Sequence, residues 1–175
     1  MSKYYAGVGS RNTPGCILSD MTTYAARLEK LGYILRSGGA QGADKAFEHG
    51  VTKGVNKTIF HPTKRWSPSD AAMEIAAKIH PAWDKCSAYA RACHGRNVYQ
   101  VLGENLDEPV EFVICWTPSA EAIGGTRTAI KLAEQHSITV YNLANPADGV
   151  HLERKIYEME MALPPLAPAP LAGDS

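Results

Sequence analysis

The stretch Leu35-Arg36-Ser37-Gly38-Gly39-Ala40-Gln41-Gly42-Ala43-Asp44 decides the fold. It runs from the end of an apolar strand, Tyr33 to Leu35, through a glycine-rich turn into a helix predicted over about 42–53. Glycine lets the backbone take positive φ, and with no Cβ it lets a ligand come close. A helix that starts after such a turn aims unpaired N–H groups and the positive end of its dipole back at the turn, which makes an anion site. The expected guest is a phosphate group, although glycine turns between strand and helix also serve tight packing alone.

Strand and helix signals alternate on both sides of this turn. Tyr4-Tyr5-Ala6-Gly7-Val8 reads as a first strand ending at Gly9-Ser10-Arg11. Leu18, Met21, Ala25, Leu28 and Leu31 recur at helical spacing, which predicts an amphipathic helix over 17–31 closed by Gly32. Thr58-Ile59-Phe60 makes a third strand before His61-Pro62. Pro62, Pro68 and Pro81 divide the middle into helical pieces at about 69–79 and 84–105, with Gly95 expected to interrupt the second. Phe112-Val113-Ile114-Cys115-Trp116 is apolar throughout and predicts a buried, central strand. Gly124-Gly125-Thr126 opens a helix to about His136, Ile138 to Tyr141 supplies the last strand, and a short helix follows over 149–160. The alternation predicts an α/β fold: a Rossmann-like three-layer α/β/α domain over 1–160, with a mostly parallel sheet and right-handed crossovers. Residues 161–175, with Pro164, Pro165, Pro168 and Pro170, read as an extended, flexible tail.

Composition narrows the class. The 175 residues are 45% apolar and 21% charged, as expected for one globular domain with its own core. Lys+Arg and Asp+Glu balance at 18 each, which argues against a strongly basic nucleic-acid binder and leaves only a local patch for that role. Cys16, Cys86, Cys93 and Cys115 form no CxxC pair, and Met1-Ser2-Lys3-Tyr4 leads straight into a strand without a signal-peptide pattern. Reduced thiols in a cytoplasmic protein are expected. No apolar run reaches membrane-spanning length, so no membrane partner is expected.

In sheets of this kind ligands bind beyond the carboxyl ends of the strands, where the winding reverses. Gly9, Ser10 and Arg11, the Ser37–Gly42 turn, His61-Pro62, Thr117-Pro118 and Asn142 all follow strands and belong on that edge. In the first turn Arg11 offers a planar fork matched to phosphate oxygens. The second contributes Ser37, Gly38, Gly39, Ala40, Gln41, Gly42 and, one residue into its helix, Asp44. The third, Ala122 to Thr128, places Gly124, Gly125, Thr126 and Thr128 at another helix start. Two helix starts on one edge suit a nucleotide or a diphosphate. Arg96-Asn97 pairs a guanidinium with an amide, suited to a phosphate and a base edge together. Trp116, beside Thr117, either stacks on a base or caps the core. Acid–base candidates are Asp44, Glu48 and Glu121, although an aspartate at a helix start more often serves to stabilise that helix, the reading preferred for Asp44. No turn ends in Gly-Lys-Ser/Thr and no GxGxxG follows the first strand, which argues against Walker-type hydrolysis and ordinary NAD chemistry. His49, His61, His80, His94, His136 and His151 show no metal-ligand spacing, so no metal and no cofactor are assigned.

At these residues the chain resembles the SLOG superfamily, which joins the Rossmann-like domain of the DNA-processing protein DprA (Smf) to the LOG-type nucleotide hydrolases. Ser37-Gly38-Gly39-Ala40-Gln41-Gly42-Ala43-Asp44 is similar to the DprA pattern S-G-x-A-x-G-I-D. Arg96-Asn97 and the strand after it resemble the R-N-R segment, and Gly124 to Ala133 with Ile138 to Asn142 resemble the final turn, helix and strand. The likeness spans about 3–143 and implies a nucleotide or nucleotide-derived ligand, a stand-alone domain, and pairing into a homodimer. Val98 stands where DprA has its second arginine. Lys131 stands where LOG-type enzymes carry the glutamate that serves N-glycosidic cleavage. The first expectation is therefore binding of a nucleotide by a sensor, sequestering protein or carrier. The alternatives are DprA-like binding of single-stranded DNA through Lys64, Arg65, Trp66, Arg91 and Arg96, and LOG-type N-glycosidase or phosphoribosyl hydrolysis, which Lys131 disfavours.

Overall fold

The computed structural model describes residues 2–61 and 67–164. It contains five strands, β1 Lys3–Gly7, β2 Tyr33–Ser37, β3 Lys57–Ile59, β4 Phe112–Cys115 and β5 Thr139–Asn142. The α-helices are α1 Gly15–Lys30, α2 Ala43–Gly50, α3 Asp70–Ile79, α4 Ala88–Leu102, α5 Arg127–Gln135 and α6 Pro146–Met161. All strand pairs are parallel and the order across the sheet is β3-β2-β1-β4-β5. The chain thus winds outward from β1 through β2 to β3, then returns to the other side of β1 for β4 and β5. The fold is a Rossmann-like three-layer α/β/α arrangement, and its winding reverses between β1 and β4.

Successive strand side chains point to opposite faces, and the sheet therefore builds two cores. Tyr5, Leu35, Phe112 and Ile114 face α1, α2 and α6, where Met21, Leu28, Phe47, Leu152 and Ile156 are fully buried. Phe112 is the hub of this layer, with ring centroids 6.0 Å from Tyr5, 5.4 Å from Tyr33 and 5.9 Å from Tyr141. Ala6, Val8, Val113 and Cys115 face α3, α4 and α5, against Ala72, Ala76, Val98, Val101, Ala129 and Leu132. Arg27 of α1 fastens α6 over the first core through 2.8 Å bonds to Glu153 and Glu160.

Several expectations are corrected. The middle strand is β1, and β4 lies beside it; an unalternating apolar run marks a strand covered on both faces, which holds for any interior position. The 84–105 segment is not one helix: the Ser87 hydroxyl accepts the Ala90 N–H at 3.2 Å and starts α4 at Ala88, leaving Trp83–Lys85 as a separate 3-10 turn. Gly95 does not interrupt α4. A Cβ there would stand 2.6 Å from Met73 Sδ and 2.9 Å from Pro68, so the glycine lets the start of α3 pack close. The Asn145 side chain caps α6 from Ala147 N–H at 3.2 Å, so this helix begins earlier than 149. Of the expected tail, 165–175 lie outside the described residues, as does Pro62. No helix among the described residues is long and apolar enough to cross a membrane.

Because Phe112 joins strand, neighbour strands and helices in one cluster, Phe112→Ala is expected to lower the unfolding free energy by about 3–5 kcal/mol. Urea denaturation measures this, and a loss below ~1 kcal/mol would contradict the hub assignment.

Candidate ligand-binding site

A cavity of about 420 Å³ lies over the carboxyl ends of β1 and β4, where the winding reverses. The loop after β1 lines it with Gly9, Ser10, Arg11 and Asn12, and the turn after β2 with Ala40 and Asp44. The loop after β4 supplies Thr117 and Pro118, and the turn before α5 supplies Ile123, Gly124, Gly125 and Thr126. Helix α4 contributes Tyr89, Cys93, Arg96, Asn97 and Gln100. The two helix starts singled out in the sequence do converge on one edge, but they present different chemistry.

The Ser37–Gly42 turn is closed around a carboxylate of its own chain. Asp44 Oδ2 accepts the Ala40 N–H at 3.3 Å, and the amides of Gly38 and Gly9 also face the carboxylate. The amides of α2 are engaged as well: Ala43 bonds to the Ser10 carbonyl at 3.4 Å and Lys45 to that of Ala40 at 3.2 Å. A Cβ on Gly38 would lie 2.5 Å from Gln100 Nε2, 2.6 Å from Arg96 Cζ and 2.8 Å from Asp44 Oδ2. Glycine is needed there so that three polar side chains can close on the main chain. Gly39 is covered by the His61 ring and Gly42 by the backbone of Ser10 and Arg11. Ser37, Gly38, Gly39, Gln41 and Gly42 consequently do not line the cavity, and the open phosphate cradle expected at this turn is corrected to a seat for Asp44.

The Gly124–Thr126 turn is open. Among the described residues nothing stands within 4 Å of a Cβ built on Gly124 or Gly125, and both residues are exposed. Its first-turn amides have no partner inside a helix. Asn97 Nδ2 donates to the Gly125 carbonyl and holds this turn against α4. Thr117 is fixed by Asn142, whose Oδ1 accepts its N–H at 3.2 Å and whose Nδ2 donates to its hydroxyl at 2.6 Å.

Electrostatics concentrates at the cavity floor. Burial pushes the Asp44 carboxyl up to about 6, against the opposing pull of the Arg96 guanidinium and the three amides. Arg96 Nη1 donates to the Gly38 carbonyl at 3.0 Å. Its Nε is buried without a partner among the described residues, and so are both polar atoms of the fully buried Gln100 amide. Buried side-chain amides are almost always hydrogen-bonded, which makes the Gln100 side chain the most unusual polar group of the fold.

The remaining candidates fall elsewhere. Glu48 is paired with Lys45 at 2.6 Å, which holds its carboxyl below the usual range, and Glu121 is exposed outside the cavity. Trp116 packs against the α1/α2/α6 core, and the buried Thr128 hydroxyl lies 2.8 Å from His94 Nδ1. Of the proposed DNA-binding residues, Arg91 is turned onto Trp83 and the carbonyls of Trp83 and Asp84, whereas Lys64, Arg65 and Trp66 lie outside the described residues. Sequence reasoning missed Tyr89, Cys93 and Gln100. Their spacing of i, i+4 and i+11 places them on the face of α4 that carries Arg96, a signal available once that helix is recognised as continuous.

No protein-family model matches the chain, and comparison with curated proteins and with solved structures returns no match.

The Asp44 assignment fixes a pH dependence. Its folded-state pKa lies above the ordinary 3.8, so the folded protein keeps a proton that the unfolded chain has released, and stability is lost as pH rises from about 4 to about 6. Relative to Asp44→Asn, the wild type is expected to lose about 3 kcal/mol across this window. Parallel denaturation free energies for the two proteins from pH 4 to 7 would contradict it.

Proposed function

We propose that the chain is a SLOG-type domain that binds a nucleotide, or a nucleotide-derived phosphate compound, in the cavity between β1 and β4. The observation that carries this reading is the unpaired Gln100 amide at the cavity floor, beside the unpaired Nε of Arg96. An amide offers one donor face and one acceptor face side by side. Its complement is a planar edge of the same kind, such as the hydrogen-bonding edge of a nucleobase. Leaving such a group unmet inside a fold costs about 1–3 kcal/mol. A ligand that meets it recovers this energy.

The rest of the cavity suits the other parts of a nucleotide. Asp44 supplies a carboxylate to accept hydrogen bonds from sugar hydroxyls, and it is ionised above about pH 6. Arg11 and Ser10 line the same cavity as the Gly124–Thr126 turn, so a phosphate bound there would have a guanidinium, a hydroxyl and a helix start among its neighbours. A volume of about 420 Å³ matches a single small molecule more closely than a polymer strand. The balanced overall charge agrees with a ligand recognised by local groups rather than by a broad field.

The test combines two variants with a ligand panel. Nucleoside mono- and diphosphates are expected to raise the melting temperature of the wild type, and the matching nucleosides to do so far less. Gln100→Leu should raise the stability of the free protein by about 1–3 kcal/mol, because it removes an unmet buried amide, while weakening nucleotide binding about tenfold or more in calorimetry. Arg11→Ala should weaken phosphorylated ligands and leave nucleosides unchanged. A flat response of the wild type across the whole panel overturns the reading.

A further inference from the structure

Away from the cavity floor, the segment between α3 and α4 folds back so that three side chains meet. His80 follows α3, Cys86 follows the 3-10 turn Trp83–Lys85, and His94 lies inside α4. One ring nitrogen of each histidine and the Cys86 sulfur all lie within 4.8 Å of one another. The separation of His80-x5-Cys86-x7-His94 follows no common ligand motif, so spacing alone does not mark a metal site here.

We propose that His80, Cys86 and His94 form a zinc site that anchors the wall of the cavity. Two imidazoles and a thiolate are the borderline-soft donor set that Zn²⁺ prefers over Mg²⁺ or Ca²⁺. Zn–N and Zn–S bonds of about 2.0–2.3 Å in a tetrahedron place neighbouring donors roughly 3.3–3.8 Å apart. Cys86 Sγ already stands 3.7 Å from Nδ1 and 3.8 Å from Nε2 of His80, which meets that spacing. The His80 and His94 rings have centroids 4.4 Å apart, so small rotations of half-buried side chains complete the set. Cys86 is a free thiol, available for deprotonation on metal binding.

The surroundings have the character of an outer shell. The Thr128 hydroxyl lies 2.8 Å from His94 Nδ1, which fixes that ring and leaves Nε2 for an ion. His80 Nδ1 accepts the Ala82 N–H at 3.2 Å, and the Cys86 thiol donates to the Ala82 carbonyl at 3.6 Å. Both are weak contacts that metal loading exchanges for coordination. The Trp83 ring flanks both histidines at 6.3 and 6.5 Å and covers the site. His80 and Cys86 are only half-buried, which leaves the fourth position for a water. A bound ion therefore ties the α3–α4 connection to α4 and, through Thr128, to α5. Cys93 and Asn97, which line the cavity on either side of His94 in sequence, belong to the wall so fixed. The site does not depend on the identity of the cavity's ligand.

The experiment uses the full chain, reduced and metal-free, titrated with Zn²⁺ against a chromophoric chelator and separately with Co²⁺. One equivalent of Zn²⁺ is expected to bind, and Co²⁺ to give a thiolate-to-metal charge-transfer band with the d–d intensity of a tetrahedral ion. Cys86→Ser should abolish the band, whereas Cys16→Ser, on the exposed face of α1, should change nothing. Thr128→Val should keep the band and weaken Zn²⁺ binding about 10-fold or more, as loss of a ring-orienting partner does. In the wild type, Zn²⁺ should protect Cys86 from alkylation, read by mass spectrometry without any substitution. Absence of stoichiometric binding, a band that survives Cys86→Ser, or zinc protection falling on another cysteine each overturns the proposal.

Discussion

Asp44 carries a carboxylate into a place solvent hardly reaches, and the main chain meets it with the amides of Gly9, Gly38 and Ala40 while α4 meets it with Arg96. These partners come from the loop after β1, the turn after β2 and a helix from the second half of the chain. One side chain thereby holds together the three walls that surround the cavity. The desolvation of its charged form goes uncompensated if any of them withdraws, since an ion buried without partners is far costlier than one that is paired. The geometry of the glycine turn follows from this: its curvature wraps an internal anion, and Gly38 is small so that Arg96 and Gln100 can reach over it.

With the β2 turn filled by Asp44, the open part of the cavity is lined by the remaining surfaces. The floor is a guanidinium and an amide that have more hydrogen-bonding capacity than the described residues satisfy. The mouth is a turn in which Ser119 and Ala120 sit at φ 56° and 57° and Gly124 at 60°. The two regions differ in kind, one built of fixed side chains and the other of exposed backbone. Both stand at the reversal of the winding, where parallel sheets leave a crevice because no crossover helix can cover it.

The fold was legible from periodicity because interior parallel strands are uniformly apolar and the helices between them are not. Met21, Ala25 and Leu28 do face the core at the spacing that revealed α1. Errors arose where a local signal has two physical causes. Gly95 looked like a helix break, yet a glycine within a helix also marks a close neighbour, and only the packing of Pro68 and Met73 tells which. The Ser37–Gly42 turn looked like an empty anion cradle because sequence shows the donors and not the acceptor that occupies them. The site was half legible for the same reason: Arg11, Arg96, Asn97 and Thr126 announce themselves by chemistry, whereas Gln100 becomes notable only when its burial and lack of partners are known. His80, Cys86 and His94 meet through a bend between two helices, which no spacing rule encodes.

The pairing of β1 with β4 has a consequence for how the molecule comes into being. Tyr5 lies against Phe112, so the middle of the sheet is completed only after the intervening β2, β3, α3 and α4 have been made. Such a distant closure carries a larger chain-entropy cost than the pairing of β1 with β2 and slows folding. The β1–β2–β3 half can assemble as the polypeptide leaves the ribosome, while the crevice exists only once β4 docks. A partly folded chain in which this pairing has not formed lacks the cavity altogether.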